Sequence, residues 1–292
     1  MSAARPPEGA GTAAEGAPVS RLVTKDLSIR FGGHVAVDGL SCSFEPGQLT
    51  AIVGPNGAGK TTYFNLICGQ LRASSGSVML GGQDLTRLSV AARTHAGLGR
   101  AFQLTQLFPR LSVLENLRLA VQARQAGRHR RGLNLWSIWS DHQALAERAR
   151  LILQTLAMTE RADSPAASLP HADQRKLEVA LLMALEPQVY LFDEPTAGMG
   201  QDEAPVILNL IRALKQDRSK IILLVEHKME VVRELADRVI VLTNGRLVAD
   251  GAPAEVMASP VVQQAYLGTA QAPSTLQTLQ TPWPLRTGMA AP

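Results

Sequence analysis

The feature that most constrains this sequence is a glycine-rich loop, GPNGAGKT, which runs from Gly54 to Thr61. It matches the pattern G-x-x-x-x-G-K-[ST] at every fixed position. The loop follows the apolar run Leu49–Val53, which predicts a buried strand, and it precedes a stretch of helical character, Lys60–Leu71. Backbone N–H groups of such a loop converge on phosphate oxygens, and the helix that follows adds partial positive charge. The sequence therefore predicts a nucleotide-binding protein.

The side chains of the loop suggest how a nucleotide is held. We expect Lys60 to reach the β- and γ-phosphates and Thr61 to place its hydroxyl on Mg²⁺. The other candidate nucleotide-binding residues of this segment are Gly54, Asn56, Gly57, Gly59 and Thr62.

A second apolar run, Val189–Phe192, leads directly into Asp193 and Glu194. An acidic residue at a strand end that faces the phosphate loop can hold Mg²⁺, usually through water, which makes Asp193 a candidate metal ligand. A neighbouring carboxylate can polarise an attacking water, which makes Glu194 a candidate catalytic residue. The alternative is a solvated strand end or a helix-capping acid.

Further strands and helices alternate along the chain. Strands are predicted at Ile221–Val225 and Val239–Leu242, with helices at Val206–Leu214 and Met229–Asp237. This alternation is typical of a parallel α/β sheet. Asn244-Gly245 predicts a hairpin that returns through Leu247–Ala249. Additions to this core are expected from β-like runs at Arg21–Phe31 and Val35–Phe44 and from a helix-rich segment at about 112–186.

Composition narrows the functional class. Of 292 residues, 46% are hydrophobic and only 4% aromatic, which disfavours a stacking platform for single-stranded nucleic acid. The net charge is +4, and the basic cluster at 124–131 is interpreted as a solvated loop, so no nucleic-acid partner is expected. Two cysteines are too few for a disulfide framework or a four-ligand zinc site.

The two ends of the chain differ in composition from the rest. Residues 1–19 and 270–292 have little to bury and are predicted to be disordered tails, which leaves 20–269 as the folded unit. The N-terminus has no apolar segment of a secretory signal, and no run reaches the 18 apolar residues of a membrane span. We therefore expect a cytoplasmic protein whose membrane role, if it has one, depends on a partner.

Two further residues give a specific resemblance. Gln103 ends the sequence RAFQ, and His227 ends VEH directly after the predicted strand Ile221–Val225. With the phosphate loop before Gln103 and the acidic strand end between Gln103 and His227, this order of motifs resembles the ATP-binding subunit of ABC transporters. The resemblance implies an α/β fold: a P-loop (RecA-like) ATPase core with an antiparallel β subdomain and an inserted α-helical subdomain at about 104–186.

The resemblance also implies cofactors and roles. ATP and Mg²⁺ would bind; Gln103 would contact Mg²⁺ and couple the site to membrane subunits, and His227 would contact the γ-phosphate. Phe31 falls where the family places an aromatic ring against adenine, although a phenylalanine at a strand end is as often part of the core.

Short motifs narrow the resemblance to the larger of the two ATPases of branched-chain amino acid importers. They are Arg30–Asp38, Gly97–Gln103, Leu114–Leu117, Arg175–Ala180 and Tyr266–Gly268. This implies two integral membrane permease subunits, a sibling ATPase subunit, and indirect cooperation with a periplasmic or extracellular solute-binding protein. The chain would be peripheral on the cytoplasmic face of the inner (plasma) membrane. ATPases for urea, amides or exported lipids look similar and stay open, as does a non-transport ABC ATPase.

One segment departs from the family pattern. ABC proteins carry a signature near LSGGQ that closes over the partner's ATP, and Leu169–Asp173 (LPHAD) stands in that place. Pro170 has neither the hydroxyl nor the N–H of the family's serine, and Ala172 replaces a glycine. We expect a weakened signature and therefore a heterodimer, in which a sibling's signature completes the site built on Lys60. The alternative is that the backbone geometry tolerates these residues.

Overall fold

The computed structural model describes residues 20–101, 107–128, 137–200 and 203–267. The strands are β1 Leu22–Phe31, β2 His34–Phe44, β3 Leu49–Val53, β4 Ser75–Leu80, β5 Gln83–Asp84, β6 Leu98–Ala101, β7 Val189–Asp193, β8 Ile221–Val225, β9 Arg238–Thr243 and β10 Arg246–Gly251. The helices are α1 Lys60–Cys68, α2 Val90–His95, α3 Val113–Arg128, α4 Ser137–Thr155, α5 His171–Leu185, α6 Ala204–Lys215, α7 Met229–Leu235, α8 Pro253–Ala258 and α9 Pro260–Leu267. Within these ranges, no helix has the length and hydropathy needed to cross a bilayer.

The central sheet has six strands in the order β10-β9-β3-β8-β7-β6. Its pairings are parallel except for the β9–β10 hairpin at one edge. Every residue of β3, β7 and β8 is buried, because helices and a second sheet cover both faces. Parallel order brings the carboxyl ends of β3, β7 and β8 to one edge of the sheet, and the candidate site residues follow those ends.

The second sheet is antiparallel, in the order β2-β1-β4-β5. It packs with α1 against one face of the central sheet, and Phe44, Tyr63, Leu191 and Leu223 share this core. The buried hydroxyls of Tyr63 and Thr24 are 2.7 Å apart and tie α1 to β1. The helix that follows the phosphate loop is thus fixed from both sheets.

The other face of the central sheet is covered mainly by helices. Tyr190 and Phe192 of β7 and Ile222 and Leu224 of β8 pack in one core with buried residues of α3, α4, α5 and α6. At the end of α5, Glu186 forms ion pairs with Arg124 and Arg148 and so ties this helix to α3 and α4. The strand faces alternate between the two cores, as the period of two requires.

Several predicted elements are confirmed, and some boundaries are wrong. Asn244 and Gly245 have φ of +50° and +75° and join β9 to β10, as the Asn-Gly pair predicts. Helix α1 was expected to reach Leu71 but ends at Cys68, because Gly69 takes φ +79° and its N–H caps the helix. Helix α7 ends at Leu235, two residues before the predicted end.

The expected tails at 1–19 and 270–292 lie outside the described residues. The proposed helical subdomain at about 104–186 contains α3, α4 and α5, but its limits and those of the folded unit at 20–269 stay predictions.

Candidate functional site

Close packing explains two glycines of the phosphate loop, Gly54 and Gly59. Gly54 has φ +151°, and a Cβ there would lie 2.2 Å from the Leu242 carbonyl oxygen. Gly59 has φ +97°, and a Cβ there would lie 2.5 Å from the Ala36 carbonyl oxygen. The turn of the β9–β10 hairpin also holds the loop, because the Gly245 N–H donates to the Ala58 carbonyl. The loop therefore packs between β2 and this hairpin, and a Cβ at Gly54 or Gly59 would displace it.

Lys60 is the first residue of α1 and is 8% exposed. Its ammonium donates to the carbonyl oxygens of Gly54, at 2.8 Å, and of Pro55, at 3.0 Å. Burial lowers the pKa of Lys60, and the charges of Glu194 and Asp193 oppose that shift. The ammonium is thus held inside the curve of the loop, near two carboxylates, where phosphate oxygens can replace the carbonyl partners.

The rim of the loop and the start of α1 are more accessible than Lys60. Asn56, Gly57 and Thr61 are exposed, and Thr62 is partly buried. The open side of the loop and the first turn of α1 are therefore accessible to a nucleotide.

Asp193 is the last residue of β7 and is 9% exposed. Its Oδ2 accepts a 2.5 Å hydrogen bond from Arg100, which lies on the neighbouring strand β6. The same guanidinium donates to Asn65 Oδ1 at 2.6 Å and to Gln70 Oε1 at 2.8 Å. Arg100 thus links β6, β7 and α1 at the carboxylate that the sequence assigned to Mg²⁺.

Glu194 adopts φ +50°, a left-handed conformation that is costly for a residue other than glycine. Its N–H donates to the Val225 carbonyl at 2.9 Å, and its side chain is 44% exposed. The His227 Nδ1 lies 4.0 Å from Glu194 Oε1 and 3.9 Å from Glu226 Oε2. Glu194 and His227, predicted from separate motifs, are therefore neighbours across the ends of β7 and β8.

Sequence reasoning missed Arg100, Thr196 and Glu226. Arg100 was read only as part of RAFQ, and Glu226 only as the neighbour of His227. Glu226 is 1% exposed and accepts a 2.9 Å hydrogen bond from the Thr196 hydroxyl. An acid placed directly after a fully apolar strand is the signal that could have directed attention to it.

Two further predicted residues have different outcomes. Gln103 falls in 102–106, outside the described residues. Phe31 ends β1 beside the Gly32–Gly33 turn and is 48% exposed, so it is not a core residue. Since β2 carries Ala36 against the phosphate loop, the β1–β2 hairpin lies beside that loop.

The segment in the place of the signature begins α5. Pro170 is the N-cap residue and makes no side-chain capping bond, and His171 is exposed. Ala172 is 7% exposed, so its methyl group is packed inside and does not enlarge the surface. Of Pro170 and Ala172, Pro170 is therefore the one at the surface.

The donor set suits Mg²⁺. Among the described residues, no three His, Cys, Asp or Glu side chains form a cluster that could enclose a metal. Mg²⁺ commonly binds one or two protein ligands and completes its shell with phosphates and water. The exposed Thr61 hydroxyl and the Asp193 carboxylate fit that mode.

A phosphate loop, an acidic strand end and a neighbouring histidine on a parallel sheet define a nucleotide-binding ATPase. Comparison with known families identifies the class: the ABC transporter family matches residues 37–197, and the branched-chain amino acid ATP-binding cassette transporter family matches 246–272. The chain belongs to the ABC transporter family. It is an ATPase of the kind that forms the ATP-binding subunits of these transporters.

Individual relatives agree with this. The chain is 34% identical over 250 residues to LivG of Escherichia coli, a high-affinity branched-chain amino acid transport ATP-binding protein, covering 85% of this chain and 98% of that protein. It is 34% identical over 251 residues to BraF of Pseudomonas aeruginosa, which carries the same description, with 85% and 98% covered. The crystal structure of an ABC transporter cassette in its ADP conformation aligns with TM-score 0.71 and 29% identity, covering 85% of this chain and 99% of that one.

Proposed function

We propose that this ATPase powers the import of branched-chain or related amino acids through a membrane transporter. The observation that carries the proposal is the meeting of the phosphate loop, Glu194 and His227 at one edge of the parallel sheet. The match of residues 246–272 to branched-chain amino acid cassettes and the identity to LivG and BraF support the solute class over urea, amides or an exported lipid.

Each residue near the loop has a role in this proposal. Lys60 exchanges its bonds to Gly54 and Pro55 for phosphate oxygens. The N–H groups at the start of α1 and the side chains of Asn56 and Thr62 hold the remaining phosphate oxygens. Phe31 contacts the adenine ring from the β1–β2 hairpin.

Hydrolysis depends on the two strand ends. Glu194 orients the attacking water and accepts its proton, and His227 contacts the γ-phosphate. Thr61, Asp193 and Gln103 would hold Mg²⁺, which when bound neutralises charge on the transferring phosphate. The distance of 4.0 Å between Glu194 and His227 leaves both side chains able to face one phosphate.

The partners follow from the same assignment. We infer two integral membrane permease subunits, which the chain meets on the cytoplasmic face of the plasma membrane, and a solute-binding protein on the other side. A sibling ATPase would supply the intact signature, because Pro170 offers the opposite nucleotide neither a hydroxyl nor an N–H. ATP binding would then close the pair, and hydrolysis would release it.

The catalytic assignment is tested with Glu194→Gln in the transporter purified with its membrane subunits. Glutamine preserves size and hydrogen bonding but cannot accept the proton, so we expect ATP affinity to be kept and turnover to fall at least about a hundredfold. Glu203→Gln, on a partly exposed residue before α6, is the matched control and should keep turnover. Unchanged turnover of Glu194→Gln would remove Glu194 from its role.

The solute is tested by uptake into proteoliposomes that contain the complete transporter, its solute-binding protein and internal ATP. We expect uptake of radiolabelled leucine, isoleucine or valine that Glu194→Gln abolishes. Uptake of urea or amides in place of these amino acids would correct the solute and keep the ATPase assignment.

A further inference from the structure

We propose that Glu226 is a positioning residue for ATP hydrolysis, whose buried carboxylate joins the segment after β7 to the segment after β8 and so holds His227 beside Glu194. The inference rests on the roles proposed above for Glu194 and His227. It concerns how the segments that follow β7 and β8 are held in fixed positions relative to each other beside the γ-phosphate.

The hydrogen bonds of Glu226 divide between the two segments. Its Oε1 accepts from the Thr196 hydroxyl at 2.9 Å, on the segment that follows β7. Its Oε2 accepts from the backbone N–H groups of His227, at 3.0 Å, and Lys228, at 3.3 Å, on its own segment. One side chain therefore spans both loops, with one oxygen for each.

Because Glu226 is buried, the loss of any of these hydrogen bonds would be costly. The side chain is fully buried, and among the described residues no Lys or Arg forms an ion pair with it. A buried carboxylate without such a cation depends on its hydrogen bonds, and losing one of them is costly. The hydrogen bonds therefore fix the Glu226 carboxylate and the two loops relative to one another.

His227 needs such support because its own side chain provides little. The imidazole is 54% exposed, and its Nδ1 lies 3.9 Å from Glu226 Oε2 and 4.0 Å from Glu194 Oε1, beyond hydrogen-bond distance. Its position is therefore set by its backbone, and the N–H of His227 is one of the groups that Glu226 binds. Thr196 lies two residues after Glu194, so the same carboxylate also restrains the loop of the candidate catalytic residue.

Three variants separate hydrogen bonding from charge. Glu226→Gln can keep the whole network, because its amide oxygen can accept from the two backbone N–H groups while its NH₂ donates to Thr196 Oγ1. Glu226→Ala removes the network, and Thr196→Val removes only the bond between the two loops. Glu230→Ala is the matched control, an exposed glutamate in the first turn of α7.

In the purified transporter we expect Glu226→Ala to lower kcat for ATP hydrolysis about tenfold or more, while KM for ATP stays within about twofold. Glu226→Gln should recover kcat to within about threefold of the unchanged protein, and Thr196→Val should fall between the two. In NMR spectra of the full chain, the His227 imidazole signals should move in Glu226→Ala and stay in place in Glu226→Gln.

Turnover and His227 signals that are unchanged in Glu226→Ala would overturn the proposal. It would also be overturned if Glu226→Gln were as impaired as Glu226→Ala, since the hydrogen-bond geometry would then be irrelevant. If Glu226→Ala does not fold, normal kcat in Thr196→Val would overturn it. His227→Ala distinguishes a failure of the proposed function from a failure of the positioning role. Full turnover in His227→Ala would contradict the proposed function itself. If His227→Ala is inactive while Glu226→Ala is active, only the positioning role is contradicted.

Discussion

The guanidinium of Arg100 and the carboxylate of Asp193 form a 2.5 Å ion pair in which both side chains are less than a tenth exposed. Asn65 and Gln70 accept from the other terminal nitrogen of Arg100, and its Cζ lies 5.6 Å from the centre of the Phe64 ring. The hydrogen bond from Arg100 to Asp193 is to Oδ2. The ion pair thus restrains the side chain of a candidate metal ligand.

Replacing Arg100 by methionine should destabilise the protein. Removing one partner of a buried ion pair leaves the other charge uncompensated, so we expect the free energy of unfolding to fall by about 3 kcal/mol. Urea denaturation measures this, with Arg87→Met, at an exposed position, as the control. Adding Asp193→Asn to Arg100→Met should recover part of the loss, and two simply additive losses would contradict a coupled pair.

Replacing Gly54 by alanine should weaken nucleotide binding while the fold is retained. The methyl group would meet the Leu242 carbonyl at 2.2 Å and push the loop out of shape. We expect the affinity for a fluorescent ATP analogue to fall at least about tenfold, because the converging N–H groups are lost. Gly33→Ala is the control, since nothing lies within 4 Å of its Cβ, and equal affinities of the two variants would refute this reading.

Replacing Arg93 by methionine should weaken α1 at its end. This buried guanidinium donates to the carbonyls of Leu66 and Ile67 in the last turn of α1, and to those of Thr86 and Leu88. Four carbonyls would lose a charged donor, so we expect a loss of about 3 kcal/mol in unfolding free energy. Native-state hydrogen exchange should show faster exchange in α1 than in β8. Uniform acceleration would argue against a local cap.

Two tyrosines should resist alkaline titration. Burial raises the pKa of Tyr190 to about 12 and that of Tyr63 well above its ordinary value. Because the unfolded chain releases these protons near pH 10, stability should fall as pH rises above about 10 and be unaffected below it. Absorbance at 295 nm during a pH titration should therefore rise for these groups only as the protein unfolds. Reversible ionisation of all tyrosines near pH 10 in the folded state would contradict their burial.

The sequence was most informative where one local pattern determines one element. The apolar runs of β3, β7 and β8 form strands, and Asn244-Gly245 forms its turn, because a short run or a pair of residues is a sufficient local signal for each. Strand β6 was not foreseen. Its residues, Leu-Gly-Arg-Ala, show no apolar alternation. Gly99 lies against Leu182 and Pro187, whose Cδ1 and Cγ would lie 2.4 Å and 2.6 Å from a Cβ at that position.

In the candidate site, too, the features that a short motif carries could be predicted, and the contacts between distant residues could not. Lys60, Asp193, Glu194 and His227 could be predicted as candidates because short motifs carry them. The pairing of Arg100 with Asp193 joins residues 93 positions apart, and that of Thr196 with Glu226 joins residues 30 apart. Such contacts arise only when the strands align side by side, so no local pattern indicates them.

The central claim, that this ATPase drives a membrane transporter, is tested most directly by affinity purification of the tagged full chain from detergent-solubilised membranes, with its partners identified by mass spectrometry. We predict recovery of two integral membrane subunits and a sibling ATPase, and the complex should hydrolyse ATP. Recovery of soluble proteins or nucleic acid alone, from a stable preparation at low salt, would contradict the transporter assignment and favour a non-transport ABC ATPase.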